Sequence, residues 1–313
     1  MDKNSRIYVA GHRGMVGAAI SRRLRADGFE TIIERTHAEL DLTDQAAVRA
    51  FFAENRPSHV FLAAAKVGGI YANDTYPADF ILGNLQIQTN VLESAWRCGA
   101  EKVLFLGSAC IYPRDTAQPI REDSLLTDPL EPTNEWYAIA KISGVKTCQA
   151  LRKQHGFDAI SAMPTNLYGI GDNFHLDNAH VLPALMHRFH LAKEQDLPEV
   201  VVWGTGTPRR EFLHVDDLAD ACMFLMREYS APEVVNVGIG EDISIAEIAE
   251  KVKEIVGYRG ELVFDRSKPD GTPRRLLDVS RLGDLGWTAR IGLEEGLRST
   301  YQWFLDNRDG LRS

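Results

Sequence analysis

The sequence has little of what marks secreted, membrane-spanning or metal-binding proteins. Its 313 residues include only four cysteines, Cys98, Cys110, Cys148 and Cys222, and no two of them form a C-x-x-C pair. We therefore expect reduced thiols, with neither disulfides nor a zinc site. No apolar run is long enough for a signal sequence or a transmembrane helix. These absences indicate a cytoplasmic protein without a metal and without a membrane partner.

The chain also has no excess of basic over acidic residues. The 35 lysines and arginines are outnumbered by 44 acidic residues, which gives a formal net charge of −9. A nucleic-acid partner is therefore not expected, because its phosphate backbone requires a basic face. A small phosphate-bearing ligand stays compatible with this charge, since a few arginines can reverse the field within one cleft. The length suggests about two domains.

The clearest motif lies near the start of the chain, where an apolar strand at residues 7–10 is followed by a turn with three glycines and then by helical periodicity. Gly11 permits the tight turn, Gly14 lets a pyrophosphate approach the backbone, and Gly17 lets helix and strand pack closely. The helix N-terminus would then bind the phosphates. This context predicts a dinucleotide site, with a plain tight turn as the alternative.

The choice between NAD and NADP stays open at the end of the next strand. Glu34 could bind the ribose 2′-hydroxyl of NAD, whereas Arg13, Arg35 and His37 could surround the 2′-phosphate of NADP. The three cations favour NADP(H), although a solvated surface would explain them equally. Asp41 could reach an adenine amino group.

A second group of chemically suited residues lies between positions 104 and 141. Residues 103–106 form an apolar strand whose end exposes Ser108 and Cys110, and Tyr137 and Lys141 share one helix face. An ammonium beside a phenol favours the phenolate, so we expect Tyr137 to exchange a proton near neutral pH. Ser108 would hold a carbonyl oxygen against that phenol.

Alternating strands and helices predict an α/β fold, a Rossmann-type doubly wound parallel sheet with ligands beyond the strands' carboxyl ends. We expect residues 1–165, together with about 213–238, to form the dinucleotide-binding domain. Residues 166–212 and 239–313 would form a smaller C-terminal substrate-binding α/β domain. Among the helix caps, we expect Thr43 or Asp44, Thr133 or Asn134, and an aspartate of the stretch 214–219.

The three glycines, the strand-end serine, the Tyr137-x-x-x-Lys141 pair and the stretch His214-Val215-Asp216-Asp217-Leu218 resemble the extended short-chain dehydrogenase/reductase family. The resemblance covers essentially the whole chain. It is most specific at residues 130–141, 163–169, 202–217 and 267–278, which are similar to family members that epimerise and reduce GDP-4-keto-6-deoxymannose. It implies NADP(H) as cofactor, a GDP-sugar as substrate, and a homodimer.

The resemblance also implies roles for individual residues. Ser108, Tyr137 and Lys141 would form a reductase triad, while Cys110 and His180 would serve as base and acid of a 3,5-epimerisation. The implied nucleotide-sugar contacts are Arg188, Trp203, Arg210 and Asp270. The implied cofactor contacts are Gly11, Arg13, Gly14, Met15, Val16, Gly17, Asp41, Leu42, Ala64, Leu106, Gly107, Ser108, Lys141, Pro164, Asn166, Leu167 and His180. His37 stands where the resemblance leads us to expect a second arginine.

Two other functions are compatible with the same fold. An NAD-dependent nucleotide-sugar 4-epimerase or 4,6-dehydratase is one, although a dehydratase needs a carboxylate acid/base pair near the serine and this chain has Ala109 and Cys110 there. A non-catalytic dinucleotide sensor is the other. Such a module has no need of Ser108, Tyr137 and Lys141 together.

Overall fold

The structure is a computed structural model that describes residues 1–175, 179–268 and 270–308, without the side chains of residues 70 and 71. In chain order its strands are β1 (Ile7–Ala10), β2 (Ile32–Ile33), β3 (His59–Leu62), β4 (Lys102–Leu106), β5 (Asp158–Pro164), β6 (Asn166–Tyr168), β7 (Glu199–Trp203), β8 (Arg209–Arg210), β9 (Phe212–His214), β10 (Val235–Val237), β11 (Ile243–Ser244), β12 (Glu261–Asp265) and β13 (Arg274–Arg275). Its α-helices are α1 (Met15–Ala26), α2 (Gln45–Asn55), α3 (Ile70–Thr75), α4 (Pro77–Arg97), α5 (Glu135–His155), α6 (Val181–Glu194), α7 (Val215–Glu228), α8 (Ile245–Val256), α9 (Ser280–Asp284) and α10 (Leu293–Asn307).

Six parallel strands form the central sheet in the order β2-β1-β3-β4-β5-β10. The strands are mostly apolar because helices cover both faces of the sheet. Between β1 and β3 the strand order reverses, and a crevice opens there at the carboxyl ends of the strands. The predicted Rossmann-type parallel sheet is confirmed.

The two helical layers are built from different apolar stripes. On one face α2, α4 and α5 contribute Phe51, Val91 and Val145 to the core. On the other face α1 and α7 contribute Ile20 and Leu218. Among the described helices, none combines the length and apolar character needed to cross a bilayer.

The chain after β6 forms three smaller sheets, β11-β8-β13, β12-β7 and β6-β9. A third apolar cluster lies among α6, α8 and α10, with Phe189, Val252 and Phe304 at its centre. β10 and α7 rejoin the large sheet and its helical layer. Near the end of the chain, Arg274 and Arg275 form β13 by pairing with Arg209 and Arg210 of β8.

One of the three predicted helix caps is confirmed and two are wrong. Asp44 caps α2 by accepting hydrogen bonds from two backbone N–H groups. At α7 the capping residue is His214 and not an aspartate. The Nδ1 atom of His214 accepts a hydrogen bond from the backbone N–H of Asp216 at 3.3 Å. Asn134 precedes α5 without a capping bond from its side chain, since a 3-10 turn leads directly into that helix.

Helix α5 lies very close to β4, and this closeness positions the site described below. A Cβ atom on Gly144 of α5 would collide with the ring of Phe105 and lie 2.9 Å from the Gln88 side-chain oxygen. Only glycine therefore fits at this crossing. One turn earlier, Lys141 donates a hydrogen bond from Nζ to the carbonyl oxygen of Leu106 at 2.8 Å.

We predict that Gly144→Ala destabilises the fold by about 1–3 kcal/mol, because α5 has to move away from the sheet. The matched control is Gly83→Ala in α4, where a Cβ meets no atom within 4 Å. Alanine lowers the conformational entropy of the unfolded chain relative to glycine, so that control should be neutral or stabilising by up to about 1 kcal/mol. Urea unfolding of both variants measures the difference, and equal midpoints would contradict the close-contact argument.

Candidate active site

The glycine turn between β1 and α1 has the geometry of a phosphate cradle. Gly11 has φ +88°, and a Cβ there would lie 2.7 Å from the backbone nitrogen of Ala64. A Cβ on Gly17 would collide with the Gly11 carbonyl oxygen, whereas one on Gly14 would find ordinary contact. No side chain caps α1, so its first N–H groups stay available to an anion.

Two polar side chains of this turn also fit a dinucleotide. The Nδ1 atom of His12 is buried without a hydrogen-bond partner among the described residues, and Arg13 is exposed beside it. A buried polar atom of this kind is costly unless a ligand or water pairs with it. The N-terminus of α1, the Nδ1 atom of His12 and the guanidinium of Arg13 could therefore all bind one anionic ligand.

The structure removes the ambiguity that Glu34 raises in the sequence. The carboxylate of Glu34 forms an ion pair with Arg25 of α1 at 2.7 Å, so it already has a partner and is not free to bind a ribose hydroxyl. Arg35 donates to the Glu34 carbonyl oxygen at 2.7 Å, and His37 lies 3.8 Å from Asp41. Arg13, Arg35 and His37 remain as the cations at this end of the crevice.

Ser108, Cys110, Tyr137 and Lys141 come together where β4 ends. Ser108 opens the 3-10 turn Ala109–Ile111, and its hydroxyl accepts from the backbone N–H of Cys110 at 3.3 Å. α5 brings the Tyr137 phenol close enough to the Ser108 hydroxyl for the two groups to interact. The Lys141 ammonium lies 5.8 Å from the Tyr137 ring centroid. A ketone oxygen placed beside Ser108 and Tyr137 would meet two hydroxyl donors.

The electrostatics of this group differ from the sequence prediction. Burial raises the pKa of Tyr137, the neighbouring Cys110 raises it further, and the bond to Ser108 offsets only part of the rise. Burial also lowers the pKa of Lys141 to about 8. Desolvation therefore favours the neutral phenol in the chain itself, and that is the form that donates to a ketone. Proton exchange by Tyr137 near neutral pH remains a prediction.

The remaining predicted cofactor residues lie along the same edge of the sheet. Ala64 follows β3, Leu106 and Gly107 end β4, and Pro164 ends β5. Asp41 and Leu42 follow β2, and Asn166 and Leu167 belong to β6. The Asn166 side chain donates to the Glu211 carbonyl oxygen at 2.9 Å, so its amide already has a hydrogen-bond partner within the protein.

Trp203, Arg210 and Asp270 form a second group in the C-terminal part. Asp270 accepts from the backbone N–H and the hydroxyl of Thr205, two residues after Trp203, at 2.8 and 2.7 Å. The Trp203 side chain is 65% exposed. Burial and then the neighbouring Arg275 lower the pKa of Arg210. Two guanidinium groups side by side attract an anion such as a diphosphate.

Arg188 lies in α6, and His180 is the residue directly before this helix. Burial lowers the pKa of the His180 imidazole, so the neutral form prevails at pH 7. Among the described residues, no ion pair binds Arg188, and no hydrogen bond joins His180 to Ser108 or Tyr137. The roles of these two residues therefore remain predictions.

Comparison with known proteins identifies the family. Residues 7–238 match the NAD dependent epimerase/dehydratase family. The chain belongs to this family. GDP-L-fucose synthase 1 of Arabidopsis thaliana is 64% identical over 98% of this chain and 95% of its own, and GDP-L-fucose synthase of Escherichia coli (strain K12) is 55% identical over 98% of both. A GDP-L-fucose synthetase of Naegleria fowleri, solved with NADP bound, has a TM-score of 0.92 at 28% identity and covers 100% of this chain and 98% of its own.

The resemblance inferred from the motifs is thus confirmed, but several residues of this epimerase-family site escape sequence reasoning. The buried Oδ2 of Asp172 has no hydrogen-bond partner among the described residues, and burial raises the pKa of this carboxyl group to about 7. Within the same described ranges, the buried Nε2 of His214, next to Gly169, also has no partner. Tyr112 donates to Asn236 across 124 residues of sequence. Nothing local marks such residues, because their partners come from distant segments.

The lowered pKa of Lys141 predicts the pH dependence of this site. Because the ammonium loses its proton as the pH rises through about 8, kcat/KM for oxidation of the reduced dinucleotide should fall there. Lys141→Arg keeps its charge and should move the fall to higher pH. Lys146→Arg, on the exposed side of the same helix, is the control and should match the wild type. Identical profiles for Lys141→Arg and wild type would contradict the assignment.

Proposed function

We propose that the protein converts GDP-4-keto-6-deoxy-D-mannose to GDP-L-fucose by 3,5-epimerisation followed by NADPH-dependent 4-reduction. One observation carries this proposal. In a chain that is 55–64% identical to GDP-L-fucose synthases, Ser108, Cys110 and Tyr137 gather at the end of β4. Groups that polarise a ketone and a group that can move a carbon-bound proton therefore meet at one point.

In the reduction, Ser108 and Tyr137 act on the ketone oxygen. Both hydroxyls donate hydrogen bonds to it, and preorganised donors of this kind typically contribute a few kcal/mol each to the transition state. Bound NADPH supplies the hydride to C4. Tyr137 then gives its proton to the oxygen, and the Lys141 ammonium stabilises the phenolate that forms. The protonated resting phenol suits this acid role.

In the epimerisation, the same two hydroxyls stabilise the enolate that forms when a C–H proton leaves. Cys110, as the base, removes the proton, and His180, as the acid, returns one on the opposite face. Burial lowers the pKa of His180, so its protonated form gives up a proton more readily. The exchange involves no net redox change.

The binding residues follow from the same arrangement. The glycine turn with Arg13, Arg35 and His37 would hold the diphosphate and 2′-phosphate of NADP(H), because Glu34 is paired with Arg25. Arg188, Trp203, Arg210 and Asp270 would hold the GDP-sugar: the exposed Trp203 ring offers a stacking face to the base. Arg210 and its neighbour Arg275 offer two positive charges to the diphosphate.

Domain limits, assembly and location belong to this proposal too. Residues 1–165 with about 213–238 would bind the cofactor, and residues 166–212 and 239–313 would bind the GDP-sugar. The separate apolar cluster among α6, α8 and α10 supports that division. We further propose a cytoplasmic homodimer that associates through α4 and α5.

Other functions find less support among these residues. A 4,6-dehydratase needs a carboxylate acid/base pair beside the serine, and Ala109 and Cys110 occupy those positions. A dinucleotide sensor would not require Ser108, Tyr137 and Lys141 to converge. A simple 4-epimerase would not require Cys110.

Turnover of defined substrates tests the function. The protein should oxidise NADPH with GDP-4-keto-6-deoxy-D-mannose and form GDP-L-fucose, and Tyr137→Phe should slow this by at least about 100-fold while NADPH binding stays within a few fold. Tyr258→Phe is the control, because that phenol donates to the Leu197 carbonyl oxygen in a remote part of the chain. Turnover of GDP-mannose without turnover of the keto sugar would overturn the proposal in favour of a dehydratase.

A further inference from the structure

The 3-10 turn that carries Cys110 is held by a side chain that the reaction steps above do not use. Arg275 donates from Nη1 to the carbonyl oxygen of Ala109 at 3.3 Å and to that of Tyr112 at 3.5 Å. One guanidinium thus spans both ends of the turn. Arg275 belongs to β13, where it lies in register with Arg210 of β8.

Tyr112, the residue that ends the turn, is fixed from the opposite side. Its ring is fully buried, and its hydroxyl donates to the side-chain oxygen of Asn236 on β10 at 2.6 Å. Asn236 is also fully buried, and its Nδ2 donates to the carbonyl oxygens of Ile120 and Asp278 at 2.9 and 3.0 Å. The turn is therefore tied both to the central sheet and to the segment after β13.

The buried carboxylate of Glu211 holds β13 in place. Glu211 is fully buried and accepts from the backbone N–H of Leu277 at 3.0 Å, and its own N–H donates to the Arg275 carbonyl oxygen at 3.3 Å. The same carboxylate accepts from Ile239 and Gly240 at 2.6 and 2.8 Å. Arg275 is consequently presented to the turn by a rigid strand.

Tyr137 and Lys141 are held by contacts outside the turn. Lys141 is fixed by the Leu106 carbonyl oxygen, and Tyr137 is carried by α5. Neither contact passes through Tyr112 or Arg275, whereas Ser108 begins the turn and accepts from the N–H of Cys110. A displacement of Cys110 would therefore slow proton removal more than hydride transfer, since misplacement of a reacting group by about 1 Å can cost about 100-fold in rate.

We propose that Tyr112 and Arg275 are positioning residues for Cys110 and that they determine how completely the ketone is epimerised before it is reduced. The inference rests on the proposed function. With the thiol correctly held, epimerisation outruns reduction. With the thiol displaced, hydride reaches C4 of a ketone that still has its original configuration at C3 or C5.

The test measures the ratio of GDP-L-fucose to reduced products that keep the original configuration at C3 or C5, at saturating substrate. Tyr112→Phe removes one hydroxyl, and we expect the ratio to fall at least about tenfold with the KM for NADPH unchanged. Tyr8→Phe is the matched control, because Tyr8 of β1 is buried to a similar degree but packs against Phe51 and Phe52. That variant should keep the wild-type ratio.

Arg275 gives a second, independent pair of variants. Arg275→Met removes the donors and should lower the ratio, whereas Arg275→Lys restores one donor and should recover part of it. Loss of the charge beside Arg210 should appear separately, in the KM for the GDP-sugar. A wild-type ratio in both Tyr112→Phe and Arg275→Met would overturn this assignment alone. A wild-type protein that forms no GDP-L-fucose would overturn the proposed function and this assignment with it.

Discussion

The close contact between α5 and β4 is the constraint on which the site depends. The sheet delivers Ser108 and Cys110 from the end of one strand, and the helix delivers Tyr137 and Lys141 across from them. These groups meet because Gly144 lets the helix approach Phe105 and because the Lys141 ammonium binds the Leu106 carbonyl oxygen at 2.8 Å. The bond also holds a charge inside the protein, where its pKa falls to about 8. The same few atoms therefore determine both how closely α5 packs against β4 and the pKa of Lys141.

Desolvation governs the protonation states of this site more than pairing does. Burial is the first cause of the shifts at Tyr137, Lys141, His180 and Arg210, and each shift moves toward the neutral form. A neutral phenol donates to a ketone. Lys141, with a pKa of about 8, is still largely protonated at pH 7 and can stabilise the phenolate that forms when Tyr137 gives up its proton.

Much of this could be predicted from the sequence, since the informative signals were local. The glycine turn, the strand-end serine and the Tyr137/Lys141 spacing each lie within one element, and the parallel sheet follows from alternating apolar strands and helices. What escaped prediction depends on distant partners. The pairing of Glu34 with Arg25 and the fixing of the Cys110 turn by Arg275 and Asn236 each join separate segments. The raised pKa of Tyr137 was not foreseen because spacing shows which groups are near but not how deeply they are buried.

The central claim is that one oxyanion site, formed by Ser108 and Tyr137, serves both halves of the reaction. Ser108→Ala in deuterated water tests it most directly, with deuterium uptake at C3 and C5 and hydride transfer to C4 measured in the same samples. The account predicts that both rates fall together, each by about 100-fold or more, because both steps place negative charge on the same oxygen. Loss of hydride transfer with unchanged deuterium uptake, or the reverse, would contradict it.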